Sequence, residues 1–395
     1  TSASNEFKAN SPQLRNRLFF NNGKGVFRYD SLALPVIQTA THAIAPYDYD
    51  NDGDIDLFVG GRIEPGLYPL SPQSYLLDND GKGRFSDVTS VKAVVPGKAG
   101  LYTGAVWADL DGDKKAELIT CGEWMGIGIY SYNGSRLIDV TGTYINDDTR
   151  GWWNSIKAAD IDGDGDIDLL AGNLGENTIF KSSTKEPVTI LSKDFDGNKT
   201  NDPVVFRYIQ GINTVFANRD VFCEAMPYFN NRYYNYATFA RTTFDDIFTD
   251  KEREGAYMRQ ITELRSCAFI NNGAGKLKKV ALPSEAQIST CNDFVVRDVN
   301  NDSIPDILVA GNSDCGYFEY GNYQAMKGLV LTGTGNGNFK PVQFTTTGYY
   351  VPGFASSLGT LYHKGLNRQL YIVGNDNGKA QVFEQLPNNT TTGTK

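Results

Sequence analysis

The stretch Asp160-Ile-Asp162-Gly-Asp164-Gly-Asp166-Ile-Asp168, running directly into Leu169-Leu170-Ala171, decides the fold. Two copies precede it, Asp48-Tyr-Asp50-Asn-Asp52-Gly-Asp54-Ile-Asp56 and Asp109-Leu-Asp111-Gly-Asp113-Lys-Lys115-Ala-Glu117. Two looser copies follow, Asp194-Phe-Asp196-Gly-Asn198-Lys-Thr200-Asn-Asp202 and Asp298-Val-Asn300-Asn-Asp302-Ser-Ile304-Pro-Asp306. In all five, oxygen-bearing side chains fall at positions 1, 3, 5 and 9. Position 7, occupied by Asp54, Lys115, Asp166, Thr200 and Ile304, completes the candidate ligand set.

So many carboxylates in nine residues repel one another unless a cation sits among them. Oxygen ligands from Asp, Asn and the backbone suit Ca2+, which accepts roughly 6–8 of them in loose geometry; Mg2+ demands a tighter octahedron. No His or Cys lies in the loops, which argues against zinc and copper. An EF-hand would place an acid at position 12 between helices. Here position 12 is Val59, Thr120, Ala171, Val205 and Val309, and the flanks read as strands, so each loop turns one strand into the next. A metal-free Asp/Gly hairpin turn is the plain alternative for a single copy, and five copies in register argue against it.

The repeating unit is legible around the first loop. His42–Tyr47 reads as an inner strand, Leu57–Gly60 as the second, Ser74–Leu77 as the third and Phe85–Val88 as the fourth, with hairpin turns between them. Further units start near Gly104, Ser155, Pro187, Asp293 and Phe354. A second signature marks the end of the second strand: Gly60-Gly61, Gly122-Glu123, Gly172-Asn173, Gly311-Asn312 and Gly374-Asn375. The last unit's loop, His363-Lys-Gly-Leu-Asn367, has lost its acids and should bind no metal.

Four-stranded antiparallel units about 50 residues apart predict an all-β chain, a β-propeller, in a single domain spanning 1–395. The hairpin Arg17–Tyr29 stands before the first full unit. Either it belongs to an incomplete first blade of a seven-bladed propeller, the favoured reading, or it closes a six-bladed ring by completing the last blade. Residues 209–266 break the pattern, and their spacing predicts a Tyr- and Phe-rich helical insertion within the fourth unit, ahead of the hairpin at Cys267–Ile270.

The formal charge is −9, which five bound divalent ions would bring near neutrality, and no basic stripe suggests nucleic acid. No stretch approaches the roughly 18 apolar residues of a membrane-spanning helix. The sequence starts at Thr1, which predicts a processed or truncated chain. Its five cysteines cannot all pair. Cys291 and Cys315 sit near the open end of the fifth hairpin and are expected to form a disulfide, which would fit an oxidising compartment. Cys223 and Cys267 are a second candidate pair, and Cys121 reads as a buried free thiol.

These loops resemble the FG-GAP/VCBS repeats, the Ca2+-loop propellers seen also in integrin α-subunit heads. The phrases Asp54–Arg62, Cys121-Gly-Glu-Trp-Met125, Gly151-Trp-Trp-Asn154, Ala171–Asn177 and Leu282–Gln287 are similar to bacterial surface proteins that pair such repeats with an ASPIC/UnbV module. The module itself is absent from the sequence. The resemblance implies a propeller, calcium and a secreted or cell-surface location on the outer-membrane exterior, as part of a larger assembly. It supplies no activity.

In a four-stranded meander the acidic 1–2 loops ring one face, and the longer, aromatic 2–3 connections lie on the other. Loops on a rigid scaffold and exposed aromatics favour binding. Arg62, Trp124, Trp152, Trp153, Tyr317 and Tyr320 are the candidate contacts for a protein partner or glycan. The two histidines, His42 and His363, sit in no catalytic motif, and no nucleophile elbow or phosphate loop occurs. A binding module is the leading reading. A propeller-based polysaccharide lyase or glycosidase, using Tyr, Lys, Arg or paired carboxylates, is the alternative.

Overall fold

The computed structural model describes residues 6–94, 96–273, 275–314 and 321–386. They form an all-β molecule of antiparallel sheets, most of them four-stranded. A hairpin comes first, β1 (Leu18–Asn21) and β2 (Phe27–Asp30), and among the described residues β1 pairs with β2 alone. The first sheet is a meander of β3 (Ala40–Tyr47), β4 (Asp56–Ile63), β5 (Tyr75–Asn79) and β6 (Phe85–Asp87). The second repeats it with β7 (Leu101–Ala108), β8 (Glu117–Met125), β9 (Gly128–Tyr132) and β10 (Leu137–Asp139), and adds the short β11 (Gly151–Trp152) on β8.

The third sheet opens with β12 (Ser155–Ala159) and β13 (Asp168–Gly172) and is then interrupted. The chain builds a separate sheet from β14 (Val188–Lys193), β15 (Asp202–Ile209), β16 (Ile212–Val215) and β17 (Tyr257–Ile261), in the spatial order β16-β15-β14-β17. It returns with β18 (Cys267–Asn271), which pairs with β13, and β19 (Leu277–Ala281). The fourth sheet is β20 (Cys291–Arg297), β21 (Asp306–Gly311), β22 (Leu329–Gly333) and β23 (Phe339–Gln343). The last holds β24 (Ala355–His363), β25 (Arg368–Asn375) and β26 (Gln381–Glu384).

This pairing corrects the reading of the insertion. The hairpin at Cys267 completes the third sheet, not a unit starting at Pro187, because Leu169 is registered against Phe269 and Ala171 against Cys267. The interruption therefore covers residues 173–266, and the fourth acidic loop lies inside it, between β14 and β15. Within 209–266 the helices are confined to 219–253, and Ile212–Val215 and Tyr257–Ile261 are strands. The last helix, Asp250–Arg253, stops ahead of Gly255, whose φ of +73° is open to glycine at no steric cost. The hairpin β1–β2 does not complete the last sheet either: β25 takes β26 as its third strand.

Successive sheets stack face to face, which is why their strands are apolar on both sides. All nine residues of β8 and all five of β13 are buried. Phe58 and Leu76 of the first sheet pack on Tyr102 and Leu118 of the second. Ile119 and Ile129 meet Ile156, Leu169 and Phe269 of the third. Leu170 and Ile270 meet Phe294, Ile307 and Leu331 of the fourth, and Leu308 and Val330 meet Leu358 and Tyr371 of the last. The Gly signature has a packing cause at Gly172, where a Cβ would stand 2.2 Å from the Cys291 carbonyl oxygen. The interrupting unit has its own core of Phe195, Phe206, Phe222, Phe229, Phe239 and Phe248.

Candidate metal centres and the opposite face

The five acidic loops share one backbone conformation. Positions 4 and 6 both have positive φ: Asn51 and Gly53, Gly112 and Lys114, Gly163 and Gly165, Gly197 and Lys199, Asn301 and Ser303. The position-1 carboxylate holds this double left-handed turn by accepting from the backbone N–H groups inside it. Asp160 accepts from Gly163 at 2.7 Å and Gly165 at 3.0 Å. Asp109, Asp194, Asp48 and Asp298 repeat the arrangement at 2.7–3.2 Å. The looser fourth and fifth loops are thus folded like the first three.

Position 9 begins the next strand and is buried in each loop: Asp56, Glu117, Asp168, Asp202 and Asp306 are 0–7% exposed. Asp168 accepts from Ile161 N at 2.9 Å and from Asn271 N at 2.7 Å, and Asp306 does the same from Val299 and Gly333. Burial pushes Asp56 and Glu117 up to about 7 and Asp168 to about 6, and raises Asp202 and Asp306. A carboxylate driven upward by desolvation gains most from a nearby cation.

In four loops the acids at positions 1, 3 and 9 bring ligand oxygens within 4.8 Å of one another: Asp48/Asp50/Asp56, Asp109/Asp111/Glu117, Asp160/Asp162/Asp168 and Asp194/Asp196/Asp202. These clusters are able to hold a metal ion. At the first, Asp50 Oδ1, Asp54 Oδ1 and Asp56 Oδ2 are buried with no hydrogen-bond partner. Such orphans are costly, and three aimed into one loop fit a cation. The fifth loop has Asn300 at position 3, its Nδ2 2.9 Å from Asp302 Oδ2, and so presents fewer charges.

The far ends of the sheets hold the sequence-nominated contact residues, and burial divides them. Trp153 is fully buried and donates from Nε1 to Thr149 O at 2.7 Å; Trp124 is 2% exposed. Neither ring is available as a contact, since the sheets enclose both. Trp124 sits at φ +57°, a strained position for a bulky residue, and donates to the Tyr68 hydroxyl at 2.5 Å. Trp152 is half-buried and joins a column of rings, Trp124–Trp152–Phe180–Phe216, with centroids 5.1, 6.0 and 4.8 Å apart. Arg62 is engaged with Glu123 at 2.5 Å, and Tyr68 donates to the same carboxylate at 3.1 Å. Burial pushes Glu123 up, but the Arg62 charge and hydrogen bonds from Arg62, Trp152 and Tyr68 outweigh it and hold the carboxyl below its usual value. Tyr317 and Tyr320 lie outside the described residues.

Exposed aromatics do occur on the interrupting unit, where individual residues had not been singled out. Its phenylalanines fill the core, while Tyr228, Tyr234 and Tyr236 are 63%, 71% and 64% exposed. Tyr233, 3% exposed, packs with the phenylalanines instead, so residue type alone does not separate core from surface here.

The expected disulfides are not formed. Cys291 is a free, fully buried thiol lying opposite Gly311, its Sγ 3.2 Å from Ala286 O, and its nominated partner Cys315 lies outside the described residues. Cys223 and Cys267 are also free: one is in the core of the interrupting unit, the other in that of the second and third sheets. Cys121 is a buried free thiol, as read. No helix among the described residues is long and apolar enough to cross a membrane.

No family model matches the chain. No curated protein matches it either. Among solved structures it is similar to the Vibrio cholerae biofilm matrix protein Bap1, over 88% of this chain and 77% of that one, at 11% identity and a TM-score of 0.30. That likeness is too slight to transfer a fold or a role.

Proposed function

We propose that this chain is a calcium-stabilised propeller of the FG-GAP/VCBS type, acting outside the cell or at its surface as a binding or assembly module. Its partner is a protein or a glycan, engaged through the face opposite the acidic loops. The observation that carries the reading is the identity of the five loops: one double left-handed turn, one buried position-9 carboxylate, and orphaned oxygens in the first. Positions 1, 3, 5 and 9, with position 7, would hold Ca2+, whose charge would offset the repulsion in each loop. An ion that binds only the folded state stabilises it by mass action.

The first strands β3, β7, β12, β20 and β24 lie side by side in succession, as strands around a propeller axis would. The hairpin β1–β2 fits strands three and four of an incomplete blade, which favours seven blades. Asn21 ends β1 as Asn79 ends β5 and Asn271 ends β18, each accepting at Oδ1 from a glycine N–H of the following turn, Gly23, Gly83 and Gly273, at 3.0–3.2 Å. Asn79 and Asn271 also give their N–H to a position-9 carboxylate of the preceding hairpin. Phe19, Val26 and Phe27, 51–63% exposed on the hairpin, are the apolar surface such a neighbour would cover.

The decisive experiment is affinity capture from the native cell envelope in calcium and in EGTA, beside a variant with Tyr228, Tyr234 and Tyr236 changed to Ser. A partner or glycan recovered in calcium and lost with the variant is expected. Failure to recover any specific component overturns the binding reading.

A further inference from the structure

A polar pocket of about 340 Å3 opens where the interrupting unit meets the third sheet. Its wall comes from the 2–3 connection (Glu176, Lys181, Ser183, Glu263, Arg265) and from Asp148 of the 4–1 connection, with Lys279 of β19. It therefore opens on the face opposite the first, second, third and fifth acidic loops, the side on which the interrupting unit carries the fourth. The volume is at the lower end of small-molecule sites, and the lining is unlike a generic apolar cavity: only Phe180 and Leu264 are apolar, beside four hydroxyl residues and three charges of each sign.

Most of those charges are committed to one another. Arg265 grips Glu263 with Nε and Nη2, each at 2.8 Å, and Lys279 reaches the same carboxylate at 3.2 Å and the Asp148 carbonyl at 3.0 Å. Asp148 is paired with Arg150 through three contacts of 2.7–3.3 Å. Burial pushes Glu263 up, but the hydrogen bonds and charges of Arg265 and Lys279 hold it below its usual value. An ion entering the pocket would have to displace a partner from these pairs, leaving a buried charge uncompensated. A hydroxyl would not: it adds a hydrogen bond to a carboxylate's remaining lone pair, or to a Lys or Arg N–H, without breaking what is there.

We propose that this pocket binds a neutral saccharide unit, its hydroxyls bridging Glu176, Lys181 and Ser183 on one wall and the Glu263–Arg265–Lys279 group on the other. The proposal rests on the reading of this face as the binding face. Prepaired charge at Glu263, Arg265, Lys279 and Asp148 disfavours a charged group of either sign against that wall, which separates a neutral sugar from a uronate or a zwitterion.

The test is calorimetric titration of the full chain in calcium with neutral hexose oligosaccharides, the matching uronates, and glycine as a zwitterion. A neutral oligosaccharide should bind, with the uronates and glycine at least about tenfold weaker. Glu176→Gln, Lys181→Ala and Ser183→Ala should each weaken binding by about fivefold or more at unchanged melting temperature, while Tyr234→Ala should not. Absence of neutral-sugar binding overturns the pocket proposal but leaves a protein-binding face intact. Tighter binding of a uronate or of glycine also overturns it. Sugar binding lost with Tyr234→Ala and kept by the three pocket variants overturns it too, and moves the site to the helical surface.

Discussion

Lys92 places its ammonium 3.0 Å from Asp50 Oδ2, the third residue of the first acidic loop. It also reaches Asp78 Oδ2 at 2.7 Å, and Tyr49 donates to the other oxygen of Asp78 at 2.5 Å. In the second sheet the corresponding turn presents Tyr144, whose hydroxyl lies 3.2 Å from Asp111 Oδ2. At this turn position the first sheet sets an ammonium against its loop, and the second a neutral hydroxyl.

Lys92→Met should therefore make the protein more dependent on calcium. Without the ammonium, repulsion among Asp48, Asp50 and Asp56 is less compensated in the metal-free protein, while a bound divalent ion supplies the missing charge. The gap in melting temperature between calcium and EGTA should widen relative to wild type. An equal or smaller gap would uncouple Lys92 from the loop.

Two positions in the third loop should respond differently. Asp168→Asn sets an amide N–H against one of the backbone donors of Ile161 and Asn271, and should cost about 1–3 kcal/mol even without calcium and more with it, since the same carboxylate belongs to the metal cluster. Asp162, outside that buried pair of bonds, should affect mainly the calcium-dependent part when changed to Asn. Thermal unfolding of both variants in calcium and in EGTA separates the two effects.

Arg62→Ala leaves Glu123 buried without its charge partner and should cost about 3–5 kcal/mol in denaturant unfolding. Arg62→Lys should recover part of the loss.

Acid should loosen the interrupting unit through Glu252. Arg232 donates to both its oxygens at 2.8 and 2.9 Å, which holds the carboxyl at about 2 against an ordinary 4.5. A depressed folded value stabilises fully above pH 4.5 and loses that contribution as pH falls toward 2. Amide exchange over residues 219–253 should be faster in Glu252→Gln than in wild type at neutral pH, and the two should converge toward pH 2. A constant difference down to that pH would refute the pairing.

The thiols give a simple check. Burial pushes Cys121, Cys267 and Cys291 up to about 12. In the folded protein they should resist iodoacetamide near neutral pH, since the thiolate is the reactive form. Reducing agents should leave the melting temperature unchanged.

The strands around each acidic loop were legible because the signal is local: an Asp-rich turn, period-two flanks and a glycine at the strand end. What was not legible depends on distant partners. The segment Asp194–Asp202 looks like any other loop, and only the pairing of Leu169 with Phe269 shows that its sheet interrupts another. Trp124 and Trp153 were misplaced because an aromatic in a connection serves equally as a contact or as a wedge between sheets, and burial decides. Cys291 is registered against Gly311 across a bulge at the start of β20, and its nominated partner Cys315 lies outside the described residues.

The interruption of the third sheet imposes an order of assembly. Strand β13 is finished at Gly172, yet its neighbour begins at Cys267. At synthesis rates of about 5–20 residues per second the intervening stretch takes roughly 5–20 s to appear. Throughout that interval Leu169–Ala171 form a bare apolar edge, the kind of strand that recruits foreign partners. The interrupting unit has its own phenylalanine core and is complete in sequence before that edge is covered. Its speed of folding, more than its stability, governs how cleanly the third sheet closes.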